Sequence, residues 1–302
     1  MFNNHKNGNL LFLLILTVLL SINSASCDVG IKTTVKDITG TTLPISSTPL
    51  FDGQTLQVKV HVLPTATPTA TIVSTATSAL SSSSSPSDGR FSTLPPYSSL
   101  PGDADCASRV RRSAWESRPS NTTANHTNVY AQGYRLMGSY LEQYGYEQRV
   151  TGDFTGTTDE IFQWGACKWG FDEDTVRAQA VMESRWNQLV LGDCDGVTVA
   201  ETHGCQSVGI LQVKGANIPP THPGTWPYAR QSTAFNVDYT LAVRRACFEG
   251  KETWLGNGYY AGDLWGCIGR WFSGDWYGEG SLKYIAGVKS YLANKVWLGL
   301  EF

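Results

Sequence analysis

Four stretches of the chain read as helices from the spacing of their apolar and polar positions: Val129–Tyr144, Thr175–Val190, Thr233–Phe248 and Ser281–Trp297. In the second, Val176, Ala180 and Glu183 fall one above another on a single helical face. Asp174 or Thr175 can cap its first turn, and no Gly or Pro interrupts the run. Asp172, Glu173 and Asp174 set negative charge against the positive end of the helix dipole. Strand-like alternation is scarce. Leu56–Val62 shows it, but no partner strands of similar quality follow, and a lone pair of strands is marginal in water. The folded part therefore reads as mainly α, with long Trp-bearing loops.

Composition divides the chain. Lys6 precedes the apolar run Leu10–Leu20, which is followed by the small residues Ser24, Ala25 and Ser26. These are the three parts of a secretory signal sequence over residues 1–26, and the run is shorter than the roughly 20 residues that span a bilayer. Residues 27–63 read as a short tether or small β-like piece. Residues 64–102, with the Ser81–Ser85 run and the pair Pro95 and Pro96, read as a Ser/Thr/Pro-rich disordered linker, because such residues bury too little apolar surface to offset the entropy of ordering. The folded domain is then 103–302, within the usual size of one domain.

Six of the seven Cys follow Asp105: Cys106, Cys167, Cys194, Cys205, Cys247 and Cys267. An even set in an exported chain points to disulfides. Proximity favours Cys194 with Cys205 and Cys247 with Cys267, leaving Cys106 with Cys167, although sequence alone leaves other pairings open. A zinc site is the poorer reading, since no close Cys-x-x-Cys pair exists and the five His are scattered. Ser24-Ala-Ser-Cys27 is similar to a bacterial lipoprotein processing box, which makes Cys27 a candidate lipid anchor; ordinary cleavage before Cys27 is the alternative. The expected location is secreted or in the cell envelope. A net charge of -3 gives no electrostatic footprint for nucleic acid. Asn121-Thr-Thr and Asn125-His-Thr are glycosylation sequons.

The candidate chemistry centres on Glu183. A carboxylate on a stripe otherwise given to burial is disfavoured in its charged form, so it can act as a proton donor near neutral pH. A helix end that is merely less buried, with Glu183 half in solvent, is the alternative. Asp193, Asp195 and Glu201 follow in the next loop and read as solvated acids. His203 and His222 read as loop or structural residues. Trp186, Trp226, Trp254, Trp265, Trp271 and Trp276 offer flat faces for sugars, although each Trp alone is as readily a core residue.

Three segments in order carry a resemblance: Ala178-Gln-Ala-Val-Met-Glu-Ser-Arg-Trp-Asn187, Ser207-Val-Gly-Ile-Leu-Gln-Val213 and Gly280-Ser-Leu-Lys-Tyr-Ile-Ala-Gly-Val-Lys-Ser-Tyr291. From roughly Phe162 onward the chain resembles the soluble lytic transglycosylase (SLT) family, which shares a lysozyme-like fold with goose-type lysozymes. The resemblance implies Glu183 as catalytic acid/base, with Ser184 fixing the carboxylate or the sugar. It implies that Ser207, Gly209 and Gln212 line the glycan groove and that Tyr284 stands near the centre; Trp271, one of the flat aromatic faces, is a further candidate substrate contact. The chain departs from the family pattern in reading Gly209-Ile-Leu-Gln for Gly-Leu-Met-Gln. It also has Arg270-Trp-Phe-Ser-Gly274 in place of Ala-Tyr-Asn, with Phe272 where Asn is usual. The implied activity is exported cleavage of the MurNAc–GlcNAc β-1,4 bond of peptidoglycan by a monomer that needs no cofactor and no metal. The alternatives are a goose-type or chitin-directed hydrolase on the same fold, and a non-catalytic glycan-binding module.

Overall fold

The computed structural model describes residues 90–299, except 257, together with 302. The signal sequence, the 27–63 piece, Cys27 and most of the linker lie outside the described residues. Eight α-helices and a two-stranded antiparallel ribbon make up the regular structure among the described residues. In order these are α1 (Asp103–Arg109), α2 (Thr122–Asn125), α3 (Thr158–Trp169), α4 (Glu173–Ser184), β1 (Leu191–Gly192), β2 (Ser207–Val208), α5 (Tyr228–Gln231), α6 (Thr233–Phe248), α7 (Leu264–Ser273) and α8 (Glu279–Asn294). In the ribbon Leu191 faces Val208 and Gly192 faces Ser207. The expectation of a mainly α fold holds.

Two buried helices form the centre. Every residue of α3 and of α6 is buried. α3 starts with a capping box, in which the Thr157 side chain accepts from the Glu160 amide while the Glu160 carboxylate accepts from the Thr157 amide. α6 starts at Ser232, whose hydroxyl accepts from the Phe235 amide. The helices approach closely at Gly165, where a β-carbon would lie 2.7 Å from Cγ1 of Val237. Around this pair, α8 packs against both α4 and α7.

A buried charge cluster joins these layers. Asp238 of α6 is fully buried and accepts hydrogen bonds from the amides of Thr151 (2.8 Å) and Gly152 (2.8 Å) and from the Trp169 indole (2.6 Å). Lys168 of α3, also fully buried, pairs with Asp238 at 2.8 Å and with Asp103 of α1 at 2.5 Å. A second cluster sets Arg177 of α4 against Asp159 (2.7 Å) and Asp174 (2.5 Å). The disulfides follow the same joints. Cys106–Cys167 ties α1 to α3, Cys247–Cys267 ties α6 to α7, and Cys194–Cys205 closes the loop between β1 and β2.

Several expectations are corrected. Val129–Tyr144 is not a helix but a run of turns ending in the 3-10 turn Glu142–Tyr144. Gly133 and Gly138 within it take left-handed φ values of 94° and 63°, which no α-helix accommodates. The second helix begins earlier and ends sooner than Thr175–Val190. Asp172, not Asp174 or Thr175, is its cap, accepting from the Thr175 amide at 2.8 Å. Arg185, left-handed at φ 51°, terminates it after Ser184. The folded body also reaches further toward the N-terminus than composition indicates. The Leu94 amide donates to the Gly170 carbonyl, and Arg245 holds the Pro95 carbonyl at 2.7 Å. Both sequon asparagines are buried, with their amide nitrogens spent on internal bonds, Asn121 to the Trp186 carbonyl at 2.7 Å and Asn125 to Glu116 at 2.9 Å. Neither is available for glycosylation in the folded protein.

Removing the central acid tests this architecture. Asp238→Ala leaves Lys168 with only Asp103 and the Thr151 hydroxyl and strands two buried amides and the Trp169 indole, so it should cost about 3–5 kcal/mol of unfolding free energy. Guanidinium denaturation with the disulfides intact measures it, and a loss below about 1 kcal/mol would show that the cluster does not bind the layers together.

Candidate active site

Glu183 occupies the last turn of α4 and is half-buried, with Ser184 following as the final helical residue. The helix ends here because Arg185 and Trp186 both take left-handed backbone conformations. The reversal sends Trp186 into the core, where it is fully buried against Phe162, with ring centroids 4.9 Å apart. Its indole donates to the Arg177 carbonyl at 2.9 Å. Trp186 is thus an anchor for the end of α4 and not the sugar contact it could be from sequence.

Tyr284, buried on α8, donates its hydroxyl to Oε1 of Glu183 in a short hydrogen bond. Gln179, one turn earlier on α4, buries its amide near both groups without forming a well-directed hydrogen bond to either. From α6, Arg244 brings a buried guanidinium close enough to act on both by charge, and its two terminal nitrogens have no hydrogen-bond partner among the described residues. Burial pushes the Glu183 carboxyl up to about 7, and the charge of Asp193 adds to this. The Tyr284 hydrogen bond, the nearby Gln179 amide and the charge of Arg244 pull the other way and are outweighed. Burial likewise pulls Arg244 down to about 10 and holds the Tyr284 phenol well above its ordinary value. The result is a carboxyl that holds its proton to neutral pH yet has a cation beside it when the proton leaves.

The turn Ser207–Val213 packs against this end of α4. The Ser184 hydroxyl donates to the Ile210 carbonyl at 2.8 Å, so Ser184 fixes the turn rather than the carboxylate. Gln188 accepts from the Ile210 amide at 2.9 Å, and Asn236 of α6 accepts from the Leu211 amide at 2.9 Å while donating to the Val208 carbonyl. Gly209, at φ 83°, is required here because a β-carbon would lie 2.2 Å from the Asn236 amide nitrogen. Gln212 turns its own amide nitrogen back onto the Gly209 carbonyl at 2.7 Å, so that donor is held within the turn.

Ser207 donates to Asp193 at 2.6 Å, and Lys214 lies 3.8 Å from the same carboxylate. Asp193 is exposed, as a solvated loop acid is expected to be, but it is also fastened by Ser207, and its charge reaches Glu183. Asp195 remains on the exposed side of the loop, bonded to Gln206. Trp271 donates to the Leu211 carbonyl at 3.1 Å and stacks on His222, whose ring is buried and bonded to Tyr239. His222 is structural, as expected.

The structure thus brings Glu183, Ser184, Ser207, Gly209, Gln212, Trp271 and Tyr284 into one connected network. Sequence reasoning missed Gln179, Gln188, Asn236 and Arg244. The available signal was polarity inside otherwise apolar helical runs, as with Gln179 one turn before Glu183. Among known proteins, no family profile, no characterised protein and no solved structure matches the chain.

The raised pKa has a consequence for stability. Glu183 titrates at about 7 in the fold against an ordinary 4.5. Between these values the native state holds the proton more tightly than the unfolded chain, so stability is lost as pH rises through that window. Glu183→Gln should match the wild type near about pH 4 and exceed it by about 1–3 kcal/mol near pH 8. Guanidinium denaturation at the two pH values checks this, and a wild type at least as stable as the variant at the higher pH would contradict it.

Proposed function

We propose that the chain is an exported glycan-cleaving enzyme, a lytic transglycosylase with a lysozyme-like fold. It acts on the β-1,4 bond between MurNAc and GlcNAc of peptidoglycan, with Glu183 as its acid/base. The observation that carries this reading is the half-buried Glu183 carboxyl, neutral up to about pH 7 and held by the Tyr284 hydroxyl beside the Ser207–Val213 turn. Protonated Glu183 gives its proton to the leaving glycosidic oxygen as the C1–O bond breaks. The resulting carboxylate, with Arg244 beside it, then takes the proton of the 6-hydroxyl of the same muramyl ring. That oxygen bonds to C1 and closes a 1,6-anhydro ring. Proton and bond changes balance without water. Three disulfides belong to an oxidising environment and support export.

One observation favours a second reading, hydrolysis on the same fold. Asp193 is pinned by Ser207, and its charge acts on Glu183, so it could hold a water for attack at C1.

Mass spectrometry of peptidoglycan digests separates the two. A lyase gives anhydro-muramyl ends that vanish with Glu183→Gln and persist with Asp193→Asn. A hydrolase gives reducing ends that both variants abolish. Either enzyme should lose rate as pH rises above about 7, as the donor proton is lost. Tyr284→Phe removes a hydrogen bond that lowers the Glu183 pKa, so this alkaline limb should move to higher pH. A limb that moves downward, or Glu183→Gln releasing fragments at the wild-type rate, would overturn the role of Glu183.

A further inference from the structure

Phe272, near the C-terminal end of α7, is a large apolar residue left 59% exposed. Its ring is nonetheless fixed. It lies parallel to the ring of Tyr284, with centroids 4.9 Å apart and 7° between the planes. The edge of the ring rests beside α8 at Gly280, one turn before Tyr284, where a β-carbon would stand in ordinary contact with Phe272 at 3.6 Å. Tyr284 is itself buried and bonded through its hydroxyl to Glu183. Carboxyl, phenol and phenyl thus form one connected stack, ending in an open aromatic face.

An exposed aromatic plane lowers its free energy when a flat apolar partner covers it, and such contacts favour stacked geometry. A β-1,4-linked N-acetylhexosamine provides one. With its substituents equatorial, the ring presents a face of C–H groups and keeps its polar atoms at the rim. We propose that Phe272 is a sugar-stacking residue, its open face receiving the C–H face of a β-1,4-linked N-acetylhexosamine beside the bond that Glu183 protonates. This rests on the glycan-cleaving reading of the same site. An α-1,4-linked glucan, which curves and lacks the acetamido groups, fits the stack poorly.

The test is calorimetric titration of the full chain carrying Glu183→Gln, which cannot turn over the ligand, with the β-1,4-linked GlcNAc hexamer and with an α-1,4-linked glucose hexamer. Adding Phe272→Ala should weaken binding of the first about tenfold. Phe272→Tyr, which keeps the plane, should restore it. Phe272→Leu, which keeps apolar volume without a plane, should behave like alanine, a distinction that a purely structural role would not produce. The glucose hexamer should bind more weakly, with no dependence on Phe272. Equal affinity with and without the aromatic ring, equal rescue by leucine and tyrosine, or no binding of the GlcNAc hexamer would each overturn the proposal. Ring-dependent binding by a wild-type chain that cuts no glycan would overturn the cleavage reading and leave the stacking face standing.

Discussion

The burial of Asp238 on α6 is the constraint on which the rest of the described structure depends. An ionised carboxylate without water is tolerated only when donors surround it, and here two amides, an indole and Lys168 do so. Those donors come from the segment before α3 and from α3 itself, while Lys168 also reaches α1. Once α6 is fixed, its other polar residues are fixed with it. Asn236 holds both ends of the Val208–Leu211 turn, and Arg244, about two helical turns beyond Asn236, lies under Glu183 and Tyr284. A helix buried on every side thus sets one wall of the site with side chains that pure packing would have made apolar.

The second requirement is that α4 stop immediately after Glu183. Two consecutive left-handed non-glycine residues, Arg185 and Trp186, cost on the order of 1 kcal/mol or more each. The gain that offsets this is local: Trp186 is buried among Phe162, Trp115, Trp297 and Phe302, and aromatic burial of that extent, about 4–6 kcal/mol, is enough to outweigh the strain. Without the reversal, α4 would run on past Ser184, and Gln188 could not meet the Ile210 amide from where it now stands. The tryptophan that follows Glu183, Ser184 and Arg185 in sequence is therefore a wedge that holds the carboxyl at a helix end.

Legibility in the sequence differed from element to element. Thr233–Phe248 was readable to the residue, and the polar Glu183 on an apolar stripe drew attention to a carboxyl that the fold sets beside Tyr284 and Arg244. α3 was missed although it is buried on all faces just as α6 is; the signal that could have found it was the Thr157 and Glu160 capping pair at its start. Val129–Tyr144 failed in the opposite way: its apolar spacing suggested a helix, but Gly133 and Gly138 are placed for left-handed turns that spacing does not report. At the site, Glu183, Tyr284 and Gly209 could be found because short motifs carry them. Arg244 and Asn236 could not, since their roles come from long-range contacts that α6 makes only after folding.

The balance of charges around Glu183 explains why these long-range contacts matter for the chemistry. A carboxyl buried in an apolar wall keeps its proton well, but it gives that proton up at the cost of leaving an ionised group with little water around it. Tyr284 and Arg244 reduce that cost without cancelling the elevation, because one donates a hydrogen bond and the other brings a charge with unpartnered nitrogens. Were Arg244 instead tied to a permanent carboxylate, as Arg270 is to Glu252, its field at Glu183 would be largely neutralised. The unpaired guanidinium destabilises the resting fold. Beside its contact with the Phe171 ring, its charge attracts Glu183 only once that carboxyl has lost its proton, which is the state the proposed acid/base role requires.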